Sequence, residues 1–137
     1  MVCVFCDIIN GNDKEKIIYE DNQVVAFPDI KPVAKFHYLI VPKEHILNAK
    51  VLVNGQKPIV EHMYATGKRL LEQKGVNLSS ARFGFHWPPF YSVPHLHLHA
   101  IGPTSNMSFI ARAIFRENSY WFVPPEYVIN SLEENQE

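Results

Sequence analysis

One short stretch, His95-Leu96-His97-Leu98-His99-Ala100-Ile101, constrains this chain more than any other. Three imidazoles alternate there with apolar residues at a strict period of two. In an extended strand successive side chains point to opposite faces. The pattern therefore predicts His95, His97 and His99 on one face and Leu96, Leu98 and Ala100 on the other. At a rise of about 3.3 Å per residue, neighbouring imidazoles on that face lie about 6–7 Å apart. A hydrophobic core does not explain such a face. Adjacent imidazoles repel one another when protonated and need hydrogen-bond partners when buried. The stretch reads as a working surface on an apolar backing.

The rest of the composition narrows the setting. A chain of 137 residues, 47% of them hydrophobic, suits one domain with one real core. A formal net charge of −1 argues against bulk electrostatic binding of nucleic acid or a membrane surface. No apolar run approaches the ~20 residues of a membrane span. The opening residues MVCVFCDIINGNDK lack a basic segment followed by a long apolar one, so no secretory signal is expected. Cys3 and Cys6 alone do not make a disulfide scaffold, and a cytoplasmic or nuclear setting is the expectation.

Along the chain, Val2 to Asn10 reads as a short helix ended by Gly11-Asn12-Asp13. Lys16–Glu20 and Gln23–Pro28 form a predicted hairpin, and the aromatic and β-branched run Phe36–Pro42 a third strand. Ile59, Met63, Leu70 and Leu71 recur at helical spacing, with Gly75 as the stop, which predicts one long helix over Lys57–Lys74. Ala81–Trp87 is a fourth strand ended by Pro88-Pro89, and the histidine stretch a fifth. Tyr120–Pro125 is an aromatic packing patch, and Pro125–Glu133 a short terminal helix. This order predicts an α+β domain around an antiparallel sheet.

An imidazole can be a nucleophile, a base, a metal ligand or, when protonated, an anion-binding group. Zinc held by all three triad histidines would need nitrogens about 3.3 Å apart, which consecutive alternates of one strand reach badly. Cys3-x-x-Cys6 taken alone is half a zinc site, a redox pair or two small buried side chains. Two further zinc ligands would have to come from His37, His45, His62, His86 or the triad.

The stretch resembles the His-φ-His-φ-His-φ-φ pattern of the histidine triad (HIT) superfamily. Cys3 to Ile9, Ala26 to Pro32 and His37 to Ile46 resemble its Hint branch in order and spacing. Gly84 to Phe90 and Asn118 to Phe122 extend the likeness to one subgroup of that branch. The resemblance implies a single HIT domain over residues 1–137, with its core at about 3–132 and a short polar C-terminal tail. It implies a five-stranded antiparallel sheet, one long helix and short terminal helices. It also implies a homodimer paired through the long helix and one sheet edge, which would cover an exposed edge.

The implied activity is hydrolysis of a purine nucleoside monophosphate joined to a leaving group, typically an amine as in adenosine 5′-phosphoramidates. By position in the motif, His97 is the nucleophile that forms a covalent nucleotidyl-histidine, and His99 serves the phosphate. Asp29 matches the carboxylate that holds ribose hydroxyls, although an Asp before Ile-Lys-Pro also shapes a turn. Phe5, Ile8, Phe27 and Ile30 correspond to the slot for the base, and Ser92 to a hydroxyl near the scissile phosphate. Cys3, Cys6, His45 and His95 match a structural zinc set that some relatives carry, and catalysis needs no cofactor. Without zinc, His45 and His95 would instead orient His97.

Two departures from the pattern stand out. Close Hint relatives have an asparagine where this chain has Gly84, and a Gly-rich polar loop where it has the bulky Phe85–Tyr91. These changes leave two rivals open: a nucleotide-binding or sensor module with little turnover, and a hydrolase of dinucleoside polyphosphates or other AMP conjugates. A uridylyl transferase carries Gln at the third triad position, and His99 speaks against that activity. His86 is expected to be a hydrogen-bonded structural residue, His62 a solvated one and Lys43 an ordinary surface lysine.

Overall fold

β-Branched and aromatic residues dominate Val24–Pro28 (β2) and Phe36–Pro42 (β3), and both runs are extended, as their propensities favour. The computed structural model describes residues 3–11, 14–91 and 93–134. Its other strands are Tyr19–Glu20 (β1), Arg82–His86 (β4), Leu98–Gly102 (β5) and Phe122–Val123 (β6). They form one six-stranded sheet in the order β1-β2-β3-β5-β4-β6, with every pair antiparallel. The helices are Val4–Ile9 (α1), Lys57–Gln73 (α2), Phe109–Ile114 (α3) and Pro125–Glu134 (α4). No helix among the described residues is long and apolar enough to cross a membrane.

Register decides what each face carries. Phe27 lies opposite Leu39, Leu39 opposite His99, and His99 opposite Gly84. Partners in an antiparallel pair point to the same side, so these four residues make a row across one face. Ala26, Ile40, Leu98 and Phe85 lie on the opposite face, which α2 covers with Val60, Met63, Leu70 and Leu71. The histidine face is covered at one end by α1, whose Phe5 and Ile8 pack on Val25, Phe27, Leu39 and Val41. Its other end is covered by Met107, Ala111, Phe115 and Phe122. The imidazoles sit between these two apolar lids.

Several expectations need correction. The sheet has six strands and not five, because the aromatic patch contributes β6 on the outer edge of β4. A two-residue strand leaves no periodicity to read, and only pairing defines it. The short helix α3 was not expected either. Ser108 caps it by accepting from the Ala111 N–H at 3.1 Å, yet its Phe109 and Ile110 are exposed, so it shows no inward stripe. β1 is shorter than predicted because Lys14–Lys16 closes into a 3₁₀ turn. The fifth strand begins at Leu98, so His95, at a bend, and His97 lie in its lead-in, where the Leu96 N–H donates to the Ile46 carbonyl at 2.7 Å.

α4 packs against α2, and β6 against β4. The chain's own C-terminal segment thus lies on part of the long helix and on one sheet edge. Both are kinds of surface that the resemblance implies for pairing.

Candidate active site

The three triad imidazoles are not equivalent once folded. The His97 and His99 rings stand 5.1 Å apart, while the Nδ1 of His95 turns towards Cys3 and Cys6. Nδ1–H of His97 donates to the backbone carbonyl of His95 at 2.7 Å. With the proton held there, Nε2 carries the free lone pair. Burial pushes the His97 pKa down to about 4, against the pull of that carbonyl, so the ring is neutral at pH 7. Phe5 stands edge-on to it at 5.1 Å and fixes its plane from the other side. What orients His97 is thus the backbone of His95, not its ring.

A second chain of bonds sets the tautomer of His99. The Val33 N–H donates to Nδ1 of His37 at 3.2 Å, so neutral His37 carries its proton on Nε2. That N–H faces Nδ1 of His99 at 2.9 Å, which must therefore accept, leaving the His99 proton on Nε2. This last N–H is buried and has no protein partner. An orphaned buried donor beside a lone-pair nitrogen is what an incoming phosphoryl oxygen would satisfy. His37 is a residue that reading the motif missed. Its only signal was an imidazole at the same strand parity as Leu39 and Val41, where a buried side chain needs a partner.

Asp29 serves two ends. Its Oδ1 accepts from the Lys31 N–H at 2.9 Å and shapes the turn, while Oδ2 lies 3.4 Å from Nε2 of His37 and 3.9 Å from Nδ1 of His99. A cleft of about 190 Å³ opens beside it, lined by Phe5, Ile8, Phe27, Asp29 and Ile30, with His97 and His99 at its inner end. Phe5, Ile8 and Phe27 are buried, whereas Ile30 is 87% exposed and forms only the rim. Ser92 lies outside the described residues. Lys43 pairs with Glu20 at 2.7 Å. His62 corrects its expectation: it is not simply solvated, because Nε2 meets Oδ2 of Asp21 at 2.6 Å and ties α2 to the β1–β2 turn.

Cys3, Cys6, His45 and His95 come together although 92 residues separate the first from the last. Their ligand atoms all lie within 4.8 Å of one another. Sγ of Cys3 is 3.4 Å from Nδ1 of His95, and Sγ of Cys6 is 3.2 Å from Nδ1 of His45 and 3.5 Å from Nδ1 of His95. Tetrahedral zinc, with Zn–S near 2.3 Å and Zn–N near 2.0–2.1 Å, places sulfur and nitrogen about 3.5 Å apart. The donor set and spacing fit that ion. Nε2–H of His95 donates to the Pro42 carbonyl at 2.9 Å, which directs the Nδ1 lone pair at the sulfurs. Burial and the neighbouring Cys3 push the Cys6 thiol up to about 11. Asp29, His37 and His99 also cluster, but His37 and His99 spend their facing nitrogens on each other.

Gly84 has a tertiary explanation. A Cβ built there would stand 2.6 Å from the Phe122 ring. The aromatic ring of β6 occupies the space that the relatives' asparagine side chain would enter. His86 donates Nε2–H to the Ile114 carbonyl at 3.1 Å and packs 5.0 Å from the rings of His99, Phe115 and Phe122. Replacing Gly84 with Ala is therefore expected to cost about 1–3 kcal/mol in urea denaturation. Adding Phe122→Leu should recover part of that loss. An unchanged midpoint in Gly84→Ala would refute the clash.

Burial of the imidazoles also has a pH consequence. Burial holds His37, His86 and His99 below the ordinary imidazole value, with Asp29 pulling the other way at His37 and His86. Their folded pKa values lie below the unfolded one, so the unfolded chain binds more protons as pH falls through about 6.5. Stability is present above that value and is lost down to the folded pKa, about 4 for His37. The loss appears as a fall in Tm over that pH range. Calorimetry in a chelating buffer between pH 7 and 4 should record that fall, and a flat Tm would contradict it.

The sheet, the helix on one face and the paired imidazoles on the other define a histidine triad protein: the chain belongs to the HIT superfamily. The family described as "Scavenger mRNA decapping enzyme C-term binding" matches residues 2–115. The chain is similar to adenosine 5′-monophosphoramidase HINT3 of Xenopus tropicalis, at 39% identity over 97% of this chain and 88% of that one. It is also similar to the bifunctional adenosine 5′-phosphosulfate phosphorylase/adenylylsulfatase HINT4 of Arabidopsis thaliana, at 46% identity over 71% of this chain and 67% of that one. A HIT family hydrolase from Legionella pneumophila shares the fold with a TM-score of 0.70 at 30% identity, covering 74% of this chain and 92% of that one.

Proposed function

We propose that this chain hydrolyses adenosine 5′-phosphoramidates to AMP and an amine through a covalent nucleotidyl-histidine on His97. The observation that carries this reading is the neutral His97, with its proton pinned to the His95 carbonyl, beside the unpartnered Nε2–H of His99. The name of the Xenopus relative supports the substrate class, and the Arabidopsis name supports AMP bonded to a different leaving group.

The nucleoside lies in the cleft between α1 and β2, with its base against Phe5, Ile8 and Phe27 and its ribose at Asp29. Nε2 of His97 attacks the α-phosphorus. The new P–N bond forms as the bond to the amine breaks, and the amine takes up a proton from water. Positive charge on the His97 ring is stabilised through Nδ1–H on the His95 carbonyl. The His99 N–H donates to a phosphoryl oxygen, where negative charge gathers in the transition state. Water then cleaves the nucleotidyl-histidine, giving AMP and restoring neutral His97. Splitting the displacement in two gives each step a good leaving group.

Zinc is the cation we assign to Cys3, Cys6, His45 and His95, in a structural role. It would join α1 to the lead-in of β5 and so hold Phe5 and the His95 carbonyl around His97. No step of the reaction passes through it.

An adenosine phosphoramidate carrying a fluorescent amine tests the reading with the intact chain. Release of AMP and amine is expected. AMP binding without turnover on any AMP-amine would favour the sensor reading instead.

A further inference from the structure

Hydrolysis in two steps asks for a base in the second. Once the phosphorus is bonded to Nε2 of His97, that lone pair is spent, and an attacking water must lose a proton as it bonds. The neighbouring imidazoles are already committed. His37 accepts at Nδ1 from the Val33 N–H and gives its Nε2–H to His99. His95 turns its Nδ1 to the sulfurs and its Nε2–H to the Pro42 carbonyl. His99 accepts at Nδ1 and offers only an N–H.

His86 is the exception. Its Nε2–H goes to the Ile114 carbonyl at 3.1 Å, so in the neutral ring Nδ1 holds the lone pair. Burial keeps the ring below the ordinary imidazole pKa, and therefore neutral near pH 7. The Phe115 and Phe122 rings stand 5.0 Å away and hold its plane. The contact that fixes His86 in the fold thus also selects the tautomer that a base needs.

Its position agrees. His86 follows Gly84 by two residues on β4, so it faces the same side as Gly84 and Gly84's partner His99. Its ring lies 5.0 Å from that of His99, and it lines a small cavity together with His97. His97 and Val93 line both that cavity and the nucleoside cleft, so the two spaces meet at the nucleophile. β5 lies between β3 and β4. A nucleotide whose base lies towards β2 and β3 leaves the β4 side of its phosphorus to the departing amine and to the water that replaces it. His86 stands on that side.

We propose that His86 is the general base of the second step, acting through Nδ1. The proposal rests on the hydrolase reading above. Water bonds to phosphorus as the P–N bond to His97 breaks and its electron pair returns to Nε2. One water proton passes to Nδ1 of His86, and the other stays on the new phosphate oxygen. AMP leaves, and the His86 imidazolium returns its proton to bulk water.

Single-turnover kinetics of the full chain, with an adenosine phosphoramidate carrying a fluorescent amine, separate the two steps. In His86→Ala and His86→Gln, amine release should stay within about threefold of the intact chain, while hydrolysis of the nucleotidyl-histidine falls at least about 100-fold. A chain bearing one adenylyl group should then accumulate, as read by intact mass spectrometry. Free imidazole should speed its loss from His86→Ala, where truncation leaves room for the ring. Circular dichroism checks that the variants fold. The intact chain carries its own check: the second step should slow in D₂O, and equal rates in the two solvents would overturn the base whether or not the variants fold. An equal fall in both steps, an unslowed second step in either variant, or no response of His86→Ala to imidazole would overturn the role of His86 while leaving hydrolysis intact. An intact chain that releases no amine would overturn both.

Discussion

Replacing His97 with Ala or Asn is expected to lower turnover of an adenosine phosphoramidate by at least about 10⁴-fold, with AMP binding still measurable by calorimetry. The size of the effect follows from what Nε2 does. It is the only nitrogen of the His97–His99 pair with a free lone pair, because Nδ1 of His97 donates to a carbonyl and Nδ1 of His99 accepts from His37. Without it the phosphoryl group has no acceptor, and direct attack by water must replace two easier steps. Asn keeps a polar side chain at the site but no nucleophilic imidazole, so both variants should fall together. A variant retaining a tenth of the activity would mean that the covalent route is wrong. His37→Ala should cost less, because it removes the bond that sets the His99 tautomer and leaves the nucleophile in place.

The second large effect concerns the Cys-His cluster. One zinc per chain is expected by elemental mass spectrometry of the purified protein, and Cys3→Ser or Cys6→Ser should abolish it. The loss should lower Tm by about 10 °C or more, because a bound ion stabilises the folded state in proportion to the logarithm of its affinity. The six-residue helix α1 would then rest on the sheet through its apolar contacts. Phe5 touches both His95 and His97, so the zinc-free protein should also show weaker nucleotide binding. Full stability in Cys3→Ser with no metal in the intact protein would remove zinc from the account.

The parts of the fold legible in the sequence were those written in local periodicity. The long helix was expected over Lys57–Lys74 and runs over Lys57–Gln73, because its apolar spacing and Gly75 are both local signals. β2 and β3 were legible as β-branched runs between turn residues. β6 and α3 were not, since two residues carry no period and α3 exposes Phe109 and Ile110. Gly84 shows the limit most clearly. Its missing side chain was visible at once, but the reason for it, the Phe122 ring, lies 38 residues further on and arrives only through β6 pairing.

For the site, the sequence by itself determined the chemistry on offer: three imidazoles at strand parity, a carboxylate after β2, and a Cys-x-x-Cys near the start. Side-chain alternation is a property of the local backbone, so it can be read without a structure. Only the tertiary structure decided what each imidazole does. His95 meets the cysteines because α1 folds across the end of the sheet, and His99 meets His37 because Leu39 pairs with His99 and not with a neighbour. A one-residue slip in that register would turn His37 to the opposite face and leave His99 without its partner. Which nitrogen carries a proton is settled by contacts between residues far apart in the chain, and no local pattern encodes them.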